Sequence, residues 1–82
     1  MQLEIITPEK IFFSGEVDMV TLPGAKGLFT ILNNHAPIIS ALEKGIVTYN
    51  DGQEEATIKI TSGFVEGHDN IVTVSVEGIE EE

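Results

Sequence analysis

His35 and His68 are the side chains of this 82-residue chain best suited to acid–base or ligand chemistry near neutral pH. A nucleophilic triad would need a serine within hydrogen-bond reach of a histidine that a carboxylate orients. Ser40 lies five residues beyond His35 and Ser62 lies six before His68, and neither sits in a nucleophile elbow such as G-x-S-x-G. The spacing carries no catalytic signature, so no catalytic residue is assigned. His68-Asp69, with His35 to complete it, is a conceivable ligand set. It lacks the H-E-x-x-H spacing of a helical zinc site, and the Asp51, Glu54, Glu55 cluster lacks the oxygen ladder of a calcium loop. His68 reads as a turn histidine and the acidic cluster as a solvated hairpin tip, so no metal is expected. Gly24-Ala25-Lys26-Gly27 has the outline of a GxxG phosphate loop, but it joins two strands and opens no helix whose dipole could face an anion. No cofactor is expected.

What remains around His35 reads as shape. Pro23-Gly24 is a turn signal, with proline presetting φ and glycine accepting positive φ. After Lys26-Gly27 the residues Leu28, Phe29, Ile31 and Leu32 run apolar with only Thr30 between them. If this strand alternates, Leu28, Thr30 and Leu32 share the face opposite Phe29 and Ile31, and one apolar set is left incompletely covered, as at a protein interface. Pro37 then holds Ala36 extended and removes a backbone donor, which stiffens the corner after His35.

The elements that must position these residues are short strands. Ala56, Ile58 and Ile60 alternate with Thr57, Lys59 and Thr61, and Val72, Val74 and Val76 alternate with Ile71, Thr73 and Ser75. Asn50-Asp51-Gly52-Gln53 supplies hairpin-turn residues, and His68-Asp69-Asn70 does the same before the last strand. Strands are expected over 3–7, 10–14, 16–22, 27–32, 38–42, 45–49, 55–61, 63–66 and 70–76. The best helix candidate, 38–44, is too short to bury a stripe and is closed by Gly45. Turn signals recurring about every 8 to 12 residues predict an all-β domain, a flattened antiparallel β-sandwich or barrel of about nine to ten short strands. The expected organisation is one domain over 1–77 and an acidic, solvated tail over 78–82.

Composition narrows the partners. Fourteen acidic against four basic residues give a formal charge of −10, which repels phosphate backbones and anionic headgroups, so nucleic acid and direct lipid insertion are not expected. With no cysteine there is no disulfide or thiolate site. The N-terminus lacks the charged and apolar regions of a secretory signal, and no run approaches the roughly 18 apolar residues of a membrane span. A domain this small buries only roughly 60% of its unfolded surface. Its core must be apolar or be completed by a partner.

Three collinear stretches, "LEIITPEKIFFSGEVDMV", "VTLPGAKGLFTILNNHAPIISALEKGIVTY" and "IKITSGFVEGHDNIVTVSVE", carry a family resemblance. The specific pieces are Leu22-Pro23-Gly24 with Gly27, the Asn34-His35-Ala36-Pro37 corner, Leu42 followed by Gly45, and Ser62-Gly63-Phe64-Val65-Glu66. Together they resemble the N-terminal β-sandwich domain of the epsilon subunit of F-type ATP synthases. The resemblance implies a non-catalytic central-stalk subunit that binds the gamma subunit and the c ring and helps couple proton-driven rotation to ATP synthesis. It also implies peripheral attachment, through partners, to the cytoplasmic side of a bacterial inner membrane, or to a plastid thylakoid membrane. The partner-contact residues it implies are Ala25, Lys26, Gly27, Leu28 and Ile31, and the corner Asn33, Asn34, His35, Ala36 and Pro37. An apolar face near Val17, Met19, Phe29 or Ile31 is expected to meet gamma.

Two features depart from the family pattern. Members often carry a carboxylate in the ring-facing loop, whereas Ala25-Lys26-Gly27-Leu28 has none. Typical members also continue into a C-terminal helical hairpin that restrains ATP hydrolysis, and this sequence stops at Glu82, so no hairpin-type inhibition is expected of it. The alternative is a free-standing β-sandwich binding a small ligand such as a carbohydrate. Aromatic platforms would be expected there, yet the chain has no tryptophan, one tyrosine and four phenylalanines.

Overall fold

The computed structural model describes residues 1–80, and its regular elements among them are all strands. They are β1 (Gln2–Ile6), β2 (Ile11–Glu16), β3 (Met19–Gly24), β4 (Gly27–Leu32), β5 (Ile38–Leu42), β6 (Gly45–Asn50), β7 (Glu55–Ile60), β8 (Gly63–His68), β9 (Ile71–Val76) and β10 (Ile79–Glu80). Period-two patterning builds them as expected: Val72, Val74 and Val76 of β9 are buried while Ile71 is exposed, and Ile60 is buried between exposed Lys59 and Thr61.

Both predicted hairpin turns form, for identifiable reasons. In the β6–β7 turn Gly52 has φ +96°, and Asp51 Oδ1 accepts from the amides of Gln53 (2.9 Å) and Glu54 (2.8 Å). In the β8–β9 turn Asp69 and Asn70 both adopt left-handed φ, 53° and 61°, between the paired His68 and Ile71. Two central residues of that kind match the right-handed twist of the flanking strands.

The Pro23-Gly24 signal does not mark the turn. Both residues belong to β3, and the chain reverses at Ala25-Lys26, with Gly27 at φ +124°. Gly24 is needed for space: a β-carbon there would lie 2.7 Å from the Phe29 ring. Pro23 accepts from the Glu43 amide at 2.8 Å, which ties the end of β3 to the β5–β6 connection.

The strands run in the order β10-β7-β6-β3-β5-β8-β9-β1-β2, with β4 paired to β3 off this path. All pairings except one are antiparallel among the described residues. The exception is β1, which runs parallel to β9 from Gln2 opposite Ile71 to Ile6 opposite Ser75. Between β3 and β5 the only ladder pair among the described residues is Gly24 with Leu42, a single bridge that joins the two halves of the strand order. The rings of Phe13 on β2 and Tyr49 on β6 meet across the fold, centroids 4.6 Å apart. Leu3, Ile5, Val20, Leu22, Val47, Ile60, Val65, Val72 and Val74 fill the interior completely buried, each contributing about 1.5–3 kcal/mol of transfer free energy.

The acidic C-terminal run begins as structure. Ile79 and Glu80 pair with Ile60 and Lys59 of β7, Ile79 packs against the core, and the Gly78 carbonyl accepts from the Thr61 amide at 3.0 Å. Residues 78–80 of the expected solvated tail are instead engaged with β7, which offers an open edge with an apolar neighbour. The remainder of that expectation, 81–82, lies outside the described residues.

Candidate functional site

β4 divides its apolar side chains sharply between two faces. Phe29 and Ile31 face inward, Ile31 at 3% exposure, while Leu28 (74%) and Leu32 (58%) stand outward with Thr30 between them. The Thr30 hydroxyl bonds across the strand pair to the Thr21 hydroxyl at 2.8 Å. Alternation foresaw the division into two sets; which set is covered depends on the layer beneath. Val17, proposed from sequence for an exposed apolar face, is also a core residue at 2% exposure, and Met19 and Phe29 are half-buried.

The loop and the corner lie at opposite ends of this strand. Leu28 and Asn33 are five residues apart in extended chain, about 17 Å at about 3.3 Å per residue. The sequence-derived contact residues thus do not form one compact cluster. Ala25, Lys26 and Gly27 are exposed at one end, Asn33 to Pro37 sit at the other, and the Leu28-Thr30-Leu32 ridge joins them. Ile31 belongs to none of these surfaces.

At the corner, every residue up to His35 is tied down. Asn33 Oδ1 accepts from the Met1 ammonium at 2.6 Å, and that ammonium also donates to the Val17 carbonyl at 2.9 Å. Asn34 adopts φ 62°, a left-handed conformation that asparagine tolerates better than most residues, and its amide donates to Asn70 Oδ1 at 2.7 Å. His35 Nδ1 lies 2.9 Å from the Ala36 carbonyl. A carbonyl can only accept, so Nδ1 is the donor in this contact. Nε2 is buried and has no hydrogen-bond partner among the described residues. The ring lies over β8, where a β-carbon on Gly67 would come within 2.8 Å of His35 Cε1. Pro37 then leads into β5, on which Ile39 is 75% exposed. Shallow hollows flank the corner, one bounded by Leu32, Asn33 and Pro37 and the other by Pro37, Ile39 and His68.

Chemistry beyond contact finds no support in this geometry. Ser40 Oγ donates to the Ala41 carbonyl at 3.1 Å. His68 Nδ1 faces Asp69 Oδ2 at 3.1 Å, and Glu66 Oε2 is 3.9 Å from Nε2, all on exposed side chains. Among the described residues no group of three or more histidines and carboxylates converges on a point that could hold a metal. The shifted titrations lie elsewhere: amides of Glu54 and Gln53 lower the Asp51 carboxyl, and burial raises the Tyr49 phenol. What the site can offer is a stiff, mostly uncharged surface. Asn70 and Gly67, which hold it in shape, were missed in the sequence because each lies more than 30 residues from its partner, Asn34 or His35.

Comparison with known proteins follows the same direction. A family model described as "ATP synthase, Delta/Epsilon chain, beta-sandwich domain" matches residues 1–82. The ATP synthase epsilon chain of Leptospira borgpetersenii is 39% identical over 74 residues, covering 90% of this chain and 58% of the relative. Those of Chlorobaculum tepidum (41% over 78 residues, 94% of this chain and 89% of the relative) and Caulobacter vibrioides (40% over 77 residues, 94% and 90%) are matched over most of their length. The chain thus spans 58% of the Leptospira relative and nearly all of the shorter two. Among solved structures, the central stalk and c ring of Tetrahymena thermophila mitochondrial ATP synthase contains a chain with TM-score 0.84 at 17% identity, covering 98% of this chain and 65% of that one. A chain of the Euglena gracilis mitochondrial ATP synthase gives TM-score 0.88 at 20% identity, covering 95% and 51%. At such identities these two structures bear on the fold alone.

Proposed function

This chain belongs to the ATP synthase delta/epsilon-chain β-sandwich family, and on that premise we propose that it is a central-stalk component that binds the gamma subunit and the c ring. The epsilon chain is a non-catalytic subunit of its complex, so no chemical step is assigned to His35 or His68. In this reading the chain couples proton-driven rotation of the ring to ATP synthesis carried out in other subunits. It is held peripherally at the cytoplasmic face of a bacterial inner membrane by its partners.

The observation that carries the reading is the outward ridge of β4, Leu28 to Leu32, running between an exposed loop and a hydrogen-bonded corner. A part that transmits torque needs a rigid body with adhesive surfaces. Sandwich backbone ladders supply the rigidity, and a few apolar anchors supply the adhesion, while the −10 charge tunes association rate and salt response. The two ends of the ridge suit two partners, with Ala25 to Leu28 toward one and Asn33 to Pro37 toward the other. Because the ring-facing loop carries Lys26 and no carboxylate, ring contact there rests on the lysine, backbone and apolar groups and on no acidic side chain.

Calorimetry with gamma from the same organism tests the proposal. One-to-one binding with a negative heat-capacity change is expected, since apolar surface is removed from water. A folded chain that binds neither gamma nor detergent-solubilised c ring would overturn it.

A further inference from the structure

The corner is shaped from a distant turn. Asn70 ends the two-residue β8–β9 turn at φ 61°, and its backbone carbonyl accepts from the Gln2 amide at 3.0 Å, which starts the β1–β9 ladder. Its side chain is thereby aimed at the loop after β4, where Oδ1 accepts from the Asn34 amide at 2.7 Å. Asn34 is itself left-handed, at φ 62°. Without an acceptor for its amide, an exposed residue in that conformation returns readily to the more populated regions of φ/ψ space. Two residues on, Ala36 and Pro37 carry the surface offered to a partner.

We propose that Asn70 is the positioning residue of the docking corner: its side-chain carbonyl holds Asn34 left-handed, so that His35, Ala36 and Pro37 are presented in their bound shape before a partner arrives. This rests on the function proposed above and adds to it the residue that pre-organises the site. The neighbouring ties act with it. The Met1 ammonium holds Asn33, and the His35 ring rests on Gly67, so the loop is fixed at its first residue and across its middle. Among the described residues, Asn70 alone joins the peptide between them to another element. A partner that meets the corner already formed spends no ordering entropy on it, so losing the latch costs affinity without removing any contact surface.

Two variants isolate the acceptor from the turn. Asn70→Gly keeps the left-handed φ, and with it the Gln2 to Asn70 bond and the strand pairing, but removes Oδ1. Asn70→Asp restores an acceptor at the same place. Amide exchange at Asn34 in the free chain and affinity for gamma and for detergent-solubilised c ring are measured together, with the melting temperature as the folding control.

The expected result for Asn70→Gly is faster Asn34 exchange by about tenfold or more. Binding of at least one partner should weaken by about five- to tenfold, equivalent to about 1–1.4 kcal/mol, with most of the change in association rate. Asn70→Asp should return both toward wild type. A purely structural role would lower the melting temperature and accelerate exchange throughout β8 and β9 rather than at the corner. Unchanged Asn34 exchange in Asn70→Gly overturns the proposal, and so does unchanged affinity for both partners when the wild-type chain binds them. If the wild-type chain binds neither, the function proposed above is what fails, and Asn34 exchange alone then decides whether the latch exists.

Discussion

Leu28 and Ile31 stand three residues apart on opposite faces of β4, and a matched pair of substitutions there tests the docking ridge most directly. Leu28 is 74% exposed in the free chain. Complete burial of a leucine is worth about 1.5–3 kcal/mol, so covering that exposed fraction against a partner contributes about 1–2 kcal/mol. Leu28→Asp forfeits this and adds a carboxylate that must lose water in the interface. Affinity should therefore fall at least about tenfold for the partner that covers the ridge. Folding should move by less than about 1 kcal/mol, since the side chain touches little in the free protein. Ile31→Ala is the control with the opposite signature: at 3% exposure its truncation opens a core cavity and costs about 2–5 kcal/mol of stability. Urea unfolding supplies the folding terms, and calorimetry with gamma and with solubilised c ring supplies the binding terms. The reasoning is refuted if Leu28→Asp binds both partners as wild type does, or if it destabilises folding as much as Ile31→Ala.

Two further outcomes follow from the body of the sandwich. A β-carbon on Gly63 would run into the Ser75 carbonyl oxygen, a backbone atom that cannot rotate aside, so Gly63→Ala should destabilise by about 1–3 kcal/mol in urea unfolding; wild-type stability would mean that β8 and β9 shift apart freely. Asp51 is held below its ordinary pKa by the Glu54 and Gln53 amides, so its contribution is present above the unfolded carboxyl pKa of about 3.9 and is lost as pH falls through the lower folded value. Asp51→Ala should accordingly melt below wild type at pH 6, with the gap closing in acid; a gap of constant size down to pH 2 would contradict this.

Much of this protein was legible as a string. Alternation is a local property, so the parity of β7 and β9 could be read without knowing their neighbours, and so could the two-set division of β4. Asn50 to Gln53 and His68 to Asn70 declared their turns because tolerance of positive φ belongs to the residue itself. The ordered motifs around Leu22-Pro23-Gly24, Asn34 to Pro37 and Ser62 to Glu66 were sufficient for the family. Tertiary structure decided what depends on residues distant in sequence. Parity does not say which face a second layer covers, so Ile31 and Val17 went to the core and Leu28 to solvent only when the strands packed together. Gly24 looked like a turn residue because its other use, making room for the Phe29 ring, needs the packed strand to exist. The parallel pairing of β1 with β9 and the bond from Asn34 to Asn70 join segments far apart along the chain. Each segment has the same local sequence with or without its partner, so the contacts that give the corner its shape were set by packing.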